Sequence, residues 1–203
     1  MKLYYSPGAC SLADHIVLEW IGKPYEAVRV TREERKQPEF LKINPAGAVP
    51  VLEDGGWRLT QNAAILNFLA DSFPEAGLGG DGTPKSRAEA NRWLAFVNSD
   101  MHPAFKPLFG STAYLGDETA IEKSKADAKK KLRGMFETAD AQLAGKDWLI
   151  GQRSIADPYL FVLTRWAKNN GIDLSGLSNL EHFFANMLAD AAVQKAMQEE
   201  GLS

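Results

Sequence analysis

Short apolar runs separated by turn residues fill the first third of the chain. Lys2–Tyr5 is apolar and aromatic, which is typical of a strand, and Pro7 and Gly8 end it. Apolar residues then recur with the spacing of a helix, at Leu12, Ile16, Val17, Trp20 and Ile21. The pattern therefore predicts a strand that turns into a helix.

The residues up to position 73 continue this mixture of strand and helix. The pattern predicts strands at Tyr25–Val30, Ala48–Glu53 and Trp57–Leu59 and a helix at Asn62–Phe73. The turn Asp54-Gly55-Gly56 joins the last two strands as a hairpin. Thr31–Gln37 is charged and predicts a solvated loop.

Beyond this region the periodicity is helical only. Residues 74–84 contain four glycines and two prolines without any period, so residues 76–84 are predicted as a linker. The predicted helices are Lys85–Phe109, Asp117–Leu143, Ser154–Asn169, Leu177–Leu188 and Val193–Met197. We therefore expect an α/β domain at residues 1–75 and an all-helical domain at residues 85–203.

Composition narrows the function classes. The net charge of −3 over 203 residues argues against nucleic-acid binding, which needs a basic patch. One cysteine cannot form an internal disulfide, so a reducing, cytoplasmic setting is expected. The N-terminus lacks the apolar run of a signal peptide, and no stretch reaches 18 apolar residues, so we expect no membrane association.

The cysteine, Cys10, lies where the first strand turns into the first helix. Free N–H groups and the positive end of a helix dipole favour a thiolate, so a reactive thiol with a lowered pKa is one interpretation. The other is a small buried residue that only packs. The sequence alone favours neither.

Two other positions have a functional and a structural interpretation. Pro50 begins a strand, where a cis Val49-Pro50 bond would leave Val49 free to pair with an extended peptide, and the alternative is a trans edge proline. Asn62, after Gln61, is a suitable N-cap at a helix start that attracts anions, or it only caps.

Further polar positions favour structural roles. Ser154 and Asp157 fit a capping box before an apolar run. His102 lies among apolar residues and precedes Pro103, which should kink the helix. His15 and Cys10 should lie on different helix faces, and the histidines lack the spacing of a metal site, so no metal is expected.

Several segments together resemble the bacterial beta-class glutathione transferases. They occur in order across nearly the whole chain, at residues 5–12, 44–52, 64–65, 69–71, 102, 107–109, 151–157 and 200–202. The resemblance implies a thioredoxin-like N-terminal domain, a helical C-terminal domain and a homodimer. It implies glutathione as co-substrate.

The resemblance also assigns roles to residues. It implies that Cys10 and His102 are catalytic, with Cys10 facing the glutathione sulfur and His102 reaching in from the helical domain. The implied glutathione-binding residues are Tyr5, Ser11, Arg35, Val49, Pro50, Gln61, Asn62 and Ser99. In this scheme Val49 pairs with the cysteinyl backbone, Gln61 and Asn62 hold the γ-glutamyl end, and Arg35 meets the glycyl carboxylate.

Four positions depart from the family's pattern. Gln61 replaces the usual Glu, Asn62 a Ser or Gly, Ala95 an Asn, and Pro103 a Lys. A neutral Gln61 cannot supply the charge that would pair with the γ-glutamyl ammonium, and charge-assisted hydrogen bonds are about twice as strong as neutral ones. The departures predict weaker or altered glutathione recognition.

The implied activity is conjugation of glutathione to small apolar electrophiles, as in detoxification, or thiol–disulfide exchange through Cys10. An alternative is a catalytically weak member of the fold that binds apolar ligands or a protein partner. A third is a monothiol reductase with glutathione as the resolving thiol, since the chain has no Cys-x-x-Cys motif.

Overall fold

A four-stranded sheet forms the centre of the N-terminal domain. The computed structural model describes residues 1–202. The strands are β1 (Lys2–Tyr5), β2 (Glu26–Arg29), β3 (Val51–Asp54) and β4 (Trp57–Thr60), in the spatial order β2-β1-β3-β4. β1 pairs parallel with β2 and antiparallel with β3, and β3 pairs antiparallel with β4. The predicted strands are confirmed, with β3 three residues shorter at its start.

Three helices complete this domain. They are α1 (Leu12–Ile21), α2 (Pro38–Leu41) and α3 (Asn62–Ser72). The sequence pattern did not predict α2, and the predicted loop at residues 31–37 contains a 3-10 turn at Glu34–Lys36. Four residues are too few to show a helical period, so α2 could not be found from spacing.

Helix α1 is buried on almost every side. Residues 12–18 are all buried, because α1 packs against β1 and α3 of its own domain and against helices of the second domain. A helix with this environment belongs to a core and not to a surface. One continuous cluster of buried apolar residues accordingly extends through both domains.

The C-terminal domain is helical throughout. Its helices are α4 (Pro84–Ala95), α5 (His102–Ala104), α6 (Glu118–Gln142), α7 (Ala156–Asn169), α8 (Ser178–Ala189) and α9 (Ala191–Glu200). The α/β plus all-α architecture predicted from the sequence is confirmed. None of the helices among residues 1–202 combines the length and apolar character that crossing a bilayer requires.

The helix predicted at residues 85–109 is interrupted in the region where Pro103 was expected to kink it. A π-helical segment at Phe96–Met101 separates α4 from α5, and a 3-10 turn follows at Lys106–Phe109. Pro103 has no N–H to donate to the preceding turn, and such a missing bond is a common cause of an interrupted helix. The interruption ends at His102, which places this side chain beside the N-terminal domain.

The predicted structural role of Ser154 and Asp157 is confirmed. Both are fully buried, and the Ser154 hydroxyl and N–H each donate to Asp157 Oδ2 at 2.7 Å. Asp157 Oδ1 also accepts from the Leu149 N–H at 2.9 Å. The hydrogen bonds of Ser154 and Asp157 connect the loop before α7 to the start of that helix.

Candidate active site

A cleft of about 270 Å³ opens between the two domains. Side chains from both domains line it, namely Cys10, Asn44, Ala46, Ala48, Val49, Pro50, Thr60, Gln61, Asn62, Asn98, His102, Pro103, Lys106 and Tyr159. Five of the predicted site residues, Cys10, Val49, Pro50, Gln61 and Asn62, thus meet with His102 in one place. They come from the turn before α1, the loop before β3 and the starts of α3 and α5, which are distant in sequence.

Cys10 is held at the edge of this cleft by hydrogen bonds from two directions. Its half-buried thiol donates to the Val49 carbonyl, with the sulfur 3.8 Å from the oxygen. The Cys10 carbonyl accepts from Asn62 Nδ2 at 2.9 Å. The thiol position is therefore fixed relative to both Val49 and the start of α3.

Of the two interpretations of Cys10, the thiolate with a lowered pKa is wrong. Burial raises the pKa of the Cys10 thiol to about 12, and the Asp14 carboxyl raises it further, whereas nearby N–H groups and Arg35 oppose the rise only in part. Burial likewise raises the pKa of Asp14 well above its usual range. The desolvation of the thiol outweighs the favourable amides at the helix start.

Of the two geometries considered for the Val49-Pro50 bond, the cis geometry is the one present. The turn before it is held by Asn44, whose Nδ2 donates to the Ala48 carbonyl at 2.7 Å and whose Oδ1 accepts from the Ala46 N–H at 3.1 Å. β3 begins only at Val51, so Val49 precedes the strand ladder and lies on the cleft wall.

Gln61 occupies the N-cap position of α3 in an unusual backbone conformation. Its φ is 74° and its ψ is 116°, and within residues 1–202 it is the only non-glycine residue with positive φ. The side chain is exposed to the cleft and makes no capping bond. Such conformations persist mainly where function requires them, because they cost about 1–3 kcal/mol.

The prediction that Asn62 caps α3 is wrong. Asn62 is the first residue of the helix, and its side chain bridges to the Cys10 carbonyl instead of to its own helix. Its buried Oδ1 has no hydrogen-bond partner among the described residues. A buried polar atom without a partner is costly, and a donor on a bound ligand would satisfy it.

His102 enters the cleft from the helical domain. Its Nδ1 lies 2.5 Å from the Tyr159 hydroxyl, which lies 3.3 Å from Asn98 Oδ1. Burial lowers the pKa of His102, and the charge of Lys106 lowers it further. The imidazole is therefore neutral near pH 7 and forms a polar wall with Tyr159 opposite Cys10.

Most of the chain matches two known domain models. Residues 1–71 match the glutathione S-transferase N-terminal domain, and residues 97–191 match the glutathione S-transferase C-terminal domain. The chain belongs to the glutathione S-transferase family. The enzyme class expected from the sequence is thereby confirmed.

Individual relatives support this family over the full length. A glutathione S-transferase of Xanthomonas campestris, GST-4.5, is 59% identical, with 100% of both chains covered. The structure of a Xylella fastidiosa glutathione S-transferase is 54% identical with a TM-score of 0.97, covering 100% of this chain and 99% of that one.

Two further structures connect the transferase to the beta class and to glutathione. A beta-class enzyme of Sphingomonas chungbukensis is 37% identical with a TM-score of 0.88. A sphingomonad enzyme solved in complex with glutathione is 37% identical with a TM-score of 0.87. Both comparisons cover 100% of each chain. The predicted resemblance to bacterial beta-class enzymes is confirmed.

Four side chains predicted to bind glutathione do not line the cleft of this transferase, namely Tyr5, Ser11, Ser99 and Arg35. The Tyr5 hydroxyl donates to the Glu199 carbonyl at 3.3 Å, and Ser11 is fully buried with its hydroxyl bonded to the Ser6 backbone. Ser99 is exposed in a different groove, beside Phe96. Each position follows from packing that sequence spacing does not show.

Arg35 faces a second groove of about 540 Å³, where it lies with Phe109 and Trp166. Its Nε is buried and has no hydrogen-bond partner among the described residues. The guanidinium nevertheless lies close enough to Cys10 to favour the thiolate form.

Sequence reasoning missed Tyr159 and Lys106, which also line the cleft. Tyr159 lies in the apolar run of α7, where its side chain was expected in the core. The one available signal was that a buried tyrosine needs a partner for its hydroxyl.

One cluster in residues 1–202 has the composition of a metal site, but it lies away from the cleft. His15, Glu19 and Glu199 place ligand atoms within 4.8 Å of one another. The Lys195 ammonium is 2.8 Å from Glu19 Oε2 and supplies positive charge there. The cluster works as an ion-pair network between α1 and α9.

Proposed function

We propose that this transferase conjugates glutathione to small apolar electrophiles in the cleft that contains Cys10 and His102. The observation that carries the proposal is the meeting of Val49, Gln61 and Asn62 around the Cys10 thiol. Val49 offers its backbone to the cysteinyl residue of glutathione. The N–H groups at the start of α3 suit the γ-glutamyl carboxylate, and the amide oxygen of Gln61 suits the γ-glutamyl ammonium.

The other end of glutathione suits Arg35. The unsatisfied Nε of this residue offers a donor to the glycyl carboxylate. The unsatisfied Oδ1 of Asn62 offers an acceptor for a ligand N–H. Both atoms are buried, so binding would give each the partner that the free protein lacks.

The raised pKa of Cys10 favours conjugation over thiol–disulfide exchange. A protonated Cys10 thiol can donate a hydrogen bond to the glutathione sulfur and so favour its thiolate form. The glutathione sulfur then forms a bond to the electrophilic carbon, and the leaving group departs with its electron pair. Exchange would require Cys10 itself to ionise.

A pair of variants separates these activities. Cys10→Ser keeps an O–H donor, so conjugation of 1-chloro-2,4-dinitrobenzene should stay within about tenfold of the wild type, whereas Cys10→Ala should lose more because nothing then donates to the sulfur. Reduction of a glutathione mixed disulfide is measured in parallel. Equal losses of conjugation in both variants would contradict a donor role.

The full-length similarity to a named glutathione S-transferase does not favour the alternative of a weak, ligand-binding member, which rests on Gln61, Ala95 and Pro103. Retention on immobilised glutathione followed by both assays distinguishes the two. Turnover of the eluted protein supports the transferase, and retention without turnover supports the alternative.

We also propose a cytoplasmic homodimer with a role in detoxification. The groove beside Ser99 lies between α4 and α6 and is lined in part by Trp93, whose Nε1 is buried without a partner among the described residues. A second subunit could offer an acceptor to it. Sedimentation at micromolar concentration should show twice the 22.3 kDa chain mass, and a 22.3 kDa species alone would contradict the dimer.

A further inference from the structure

Two hydrogen bonds connect the turn before Cys10 to the helical domain, and both are made by the backbone of Gly8. The Gly8 N–H donates to Glu200 Oε2 at 2.8 Å, and Trp166 Nε1 donates to the Gly8 carbonyl at 2.8 Å. Gly8 has a φ of 68°, and a β-carbon there would lie 3.5 Å from Leu202 Cδ2. Two distant helices thus fix one peptide group on each side of Gly8.

Glu200 connects this turn to the helix that follows it. Its side chain is fully buried, and its other oxygen, Oε1, lies 3.0 Å from Nδ1 of His15 on α1. His15 Nε2 lies 3.0 Å from Glu199 Oε2. One carboxylate therefore bridges a residue two positions before Cys10 and a residue five positions after it.

The bonds within the turn cannot replace this bridge. Its internal backbone bonds run from the Ala9 N–H to the Ser6 carbonyl and from the Leu12 N–H to the Ala9 carbonyl, both at 3.0 Å. They shape the turn but do not fix its distance from the helical domain, which carries His102. A displacement of about 1 Å in a reacting group can reduce a rate by about a hundredfold.

We propose that Glu200 is a positioning residue whose buried carboxylate fixes Gly8 and thereby sets the place of the Cys10 thiol in the cleft. The effect on turnover rests on the conjugating function proposed above. The effect on the position of Cys10 does not, because the reactivity of its thiol can be measured without glutathione.

The proposal depends on the reach of the side chain and not only on its charge. Glu200→Asp keeps the charge but shortens the side chain by one methylene, so it cannot span Gly8 and His15 together. Glu200→Gln keeps the length, and its amide oxygen can still accept from the Gly8 N–H. Glu199→Asp is the matched control, because Glu199 contacts the same histidine but makes no side-chain bond to Gly8.

The experiment measures the alkylation rate of Cys10 by iodoacetamide at fixed pH, and kcat and KM for glutathione conjugation, in folded variants. In Glu200→Asp we expect alkylation at least fivefold faster, kcat at least fivefold lower and KM for glutathione within twofold of the wild type. Glu200→Gln and Glu199→Asp should stay within twofold of the wild type in all three quantities.

Two results would overturn the proposal. One is a Glu200→Asp alkylation rate equal to that of Glu199→Asp, and the other is greater impairment in Glu200→Gln than in Glu200→Asp. If Glu200→Asp does not fold, Glu200→Met fills the same space without an acceptor and must also alkylate at least fivefold faster. A wild type without conjugation would refute the proposed function but leave the alkylation comparison decisive.

Discussion

Replacing Gln61 by glycine should stabilise the transferase and lower its affinity for glutathione. Gln61 has φ 74° and ψ 116° at the entrance to α3, a conformation that is less strained for glycine because glycine has no β-carbon. The strain at a non-glycine residue there is about 1–3 kcal/mol. Glycine loses about 0.5–1 kcal/mol through its greater chain entropy, so the net gain is about 1 kcal/mol.

The control is Gln61→Ala, which removes the amide but keeps the β-carbon and therefore the strain. Urea unfolding of the three proteins without glutathione should place Gln61→Gly above both the wild type and Gln61→Ala. A gain of about 1 kcal/mol corresponds to a thermal midpoint about 2–4 °C higher for a chain of this size. Both variants lack the exposed amide, so their difference isolates the backbone.

Calorimetric titration with glutathione measures the functional cost. A hydrogen bond to the γ-glutamyl ammonium contributes about 1.5–3 kcal/mol, so both variants should bind at least about tenfold more weakly. If Gln61→Gly is no more stable than Gln61→Ala, the conformation carries no strain. If both variants bind glutathione as the wild type does, Gln61 does not contact it.

Four further predictions test other parts of the structure. The rate of Cys10 alkylation in the protein without glutathione should continue to increase with pH above about pH 8.5, because burial raises the pKa of the thiol. A rate that reaches a plateau below that pH would mean that burial does not control the ionisation of the thiol. Gln61→Glu should tighten glutathione several-fold by adding an ion pair, and unchanged affinity would mean that another carboxylate already holds the ammonium. Ser154→Ala should lower the unfolding free energy by about 1–3 kcal/mol in urea titration, because it leaves Asp157 with one bond fewer in the core, and a loss below about 0.5 kcal/mol would contradict that role. Burial alone would lower the pKa of His15, but the carboxylates of Glu200 and Glu199 raise it. The wild type should therefore be most stable relative to His15→Gln below about pH 6.5, and this difference in stability should fall as the pH rises through the pKa of His15 in the folded protein.

The linear pattern of residues determined much of the fold. Alternation and turn residues located all four strands, and helical spacing located α1, α3 and the long helices of the second domain. These features depend on hydrogen bonds and side-chain contacts between residues a few positions apart, so a local pattern is enough to predict them. The short motifs also carried the family resemblance, whereas they left the cis and trans forms of the Val49-Pro50 bond open and the structure shows the cis form.

The chemistry of the site was decided only by tertiary contacts. The helix start at Cys10 suggested a thiolate, but residues from other segments remove water from the thiol and reverse the direction of its pKa shift. The bond from Gly8 to Glu200 joins residues 192 positions apart, and the Tyr159 hydroxyl reaches His102 from a different helix. Desolvation and long-range hydrogen bonds depend on which distant segments pack together, and the spacing of residues along one segment does not specify this packing.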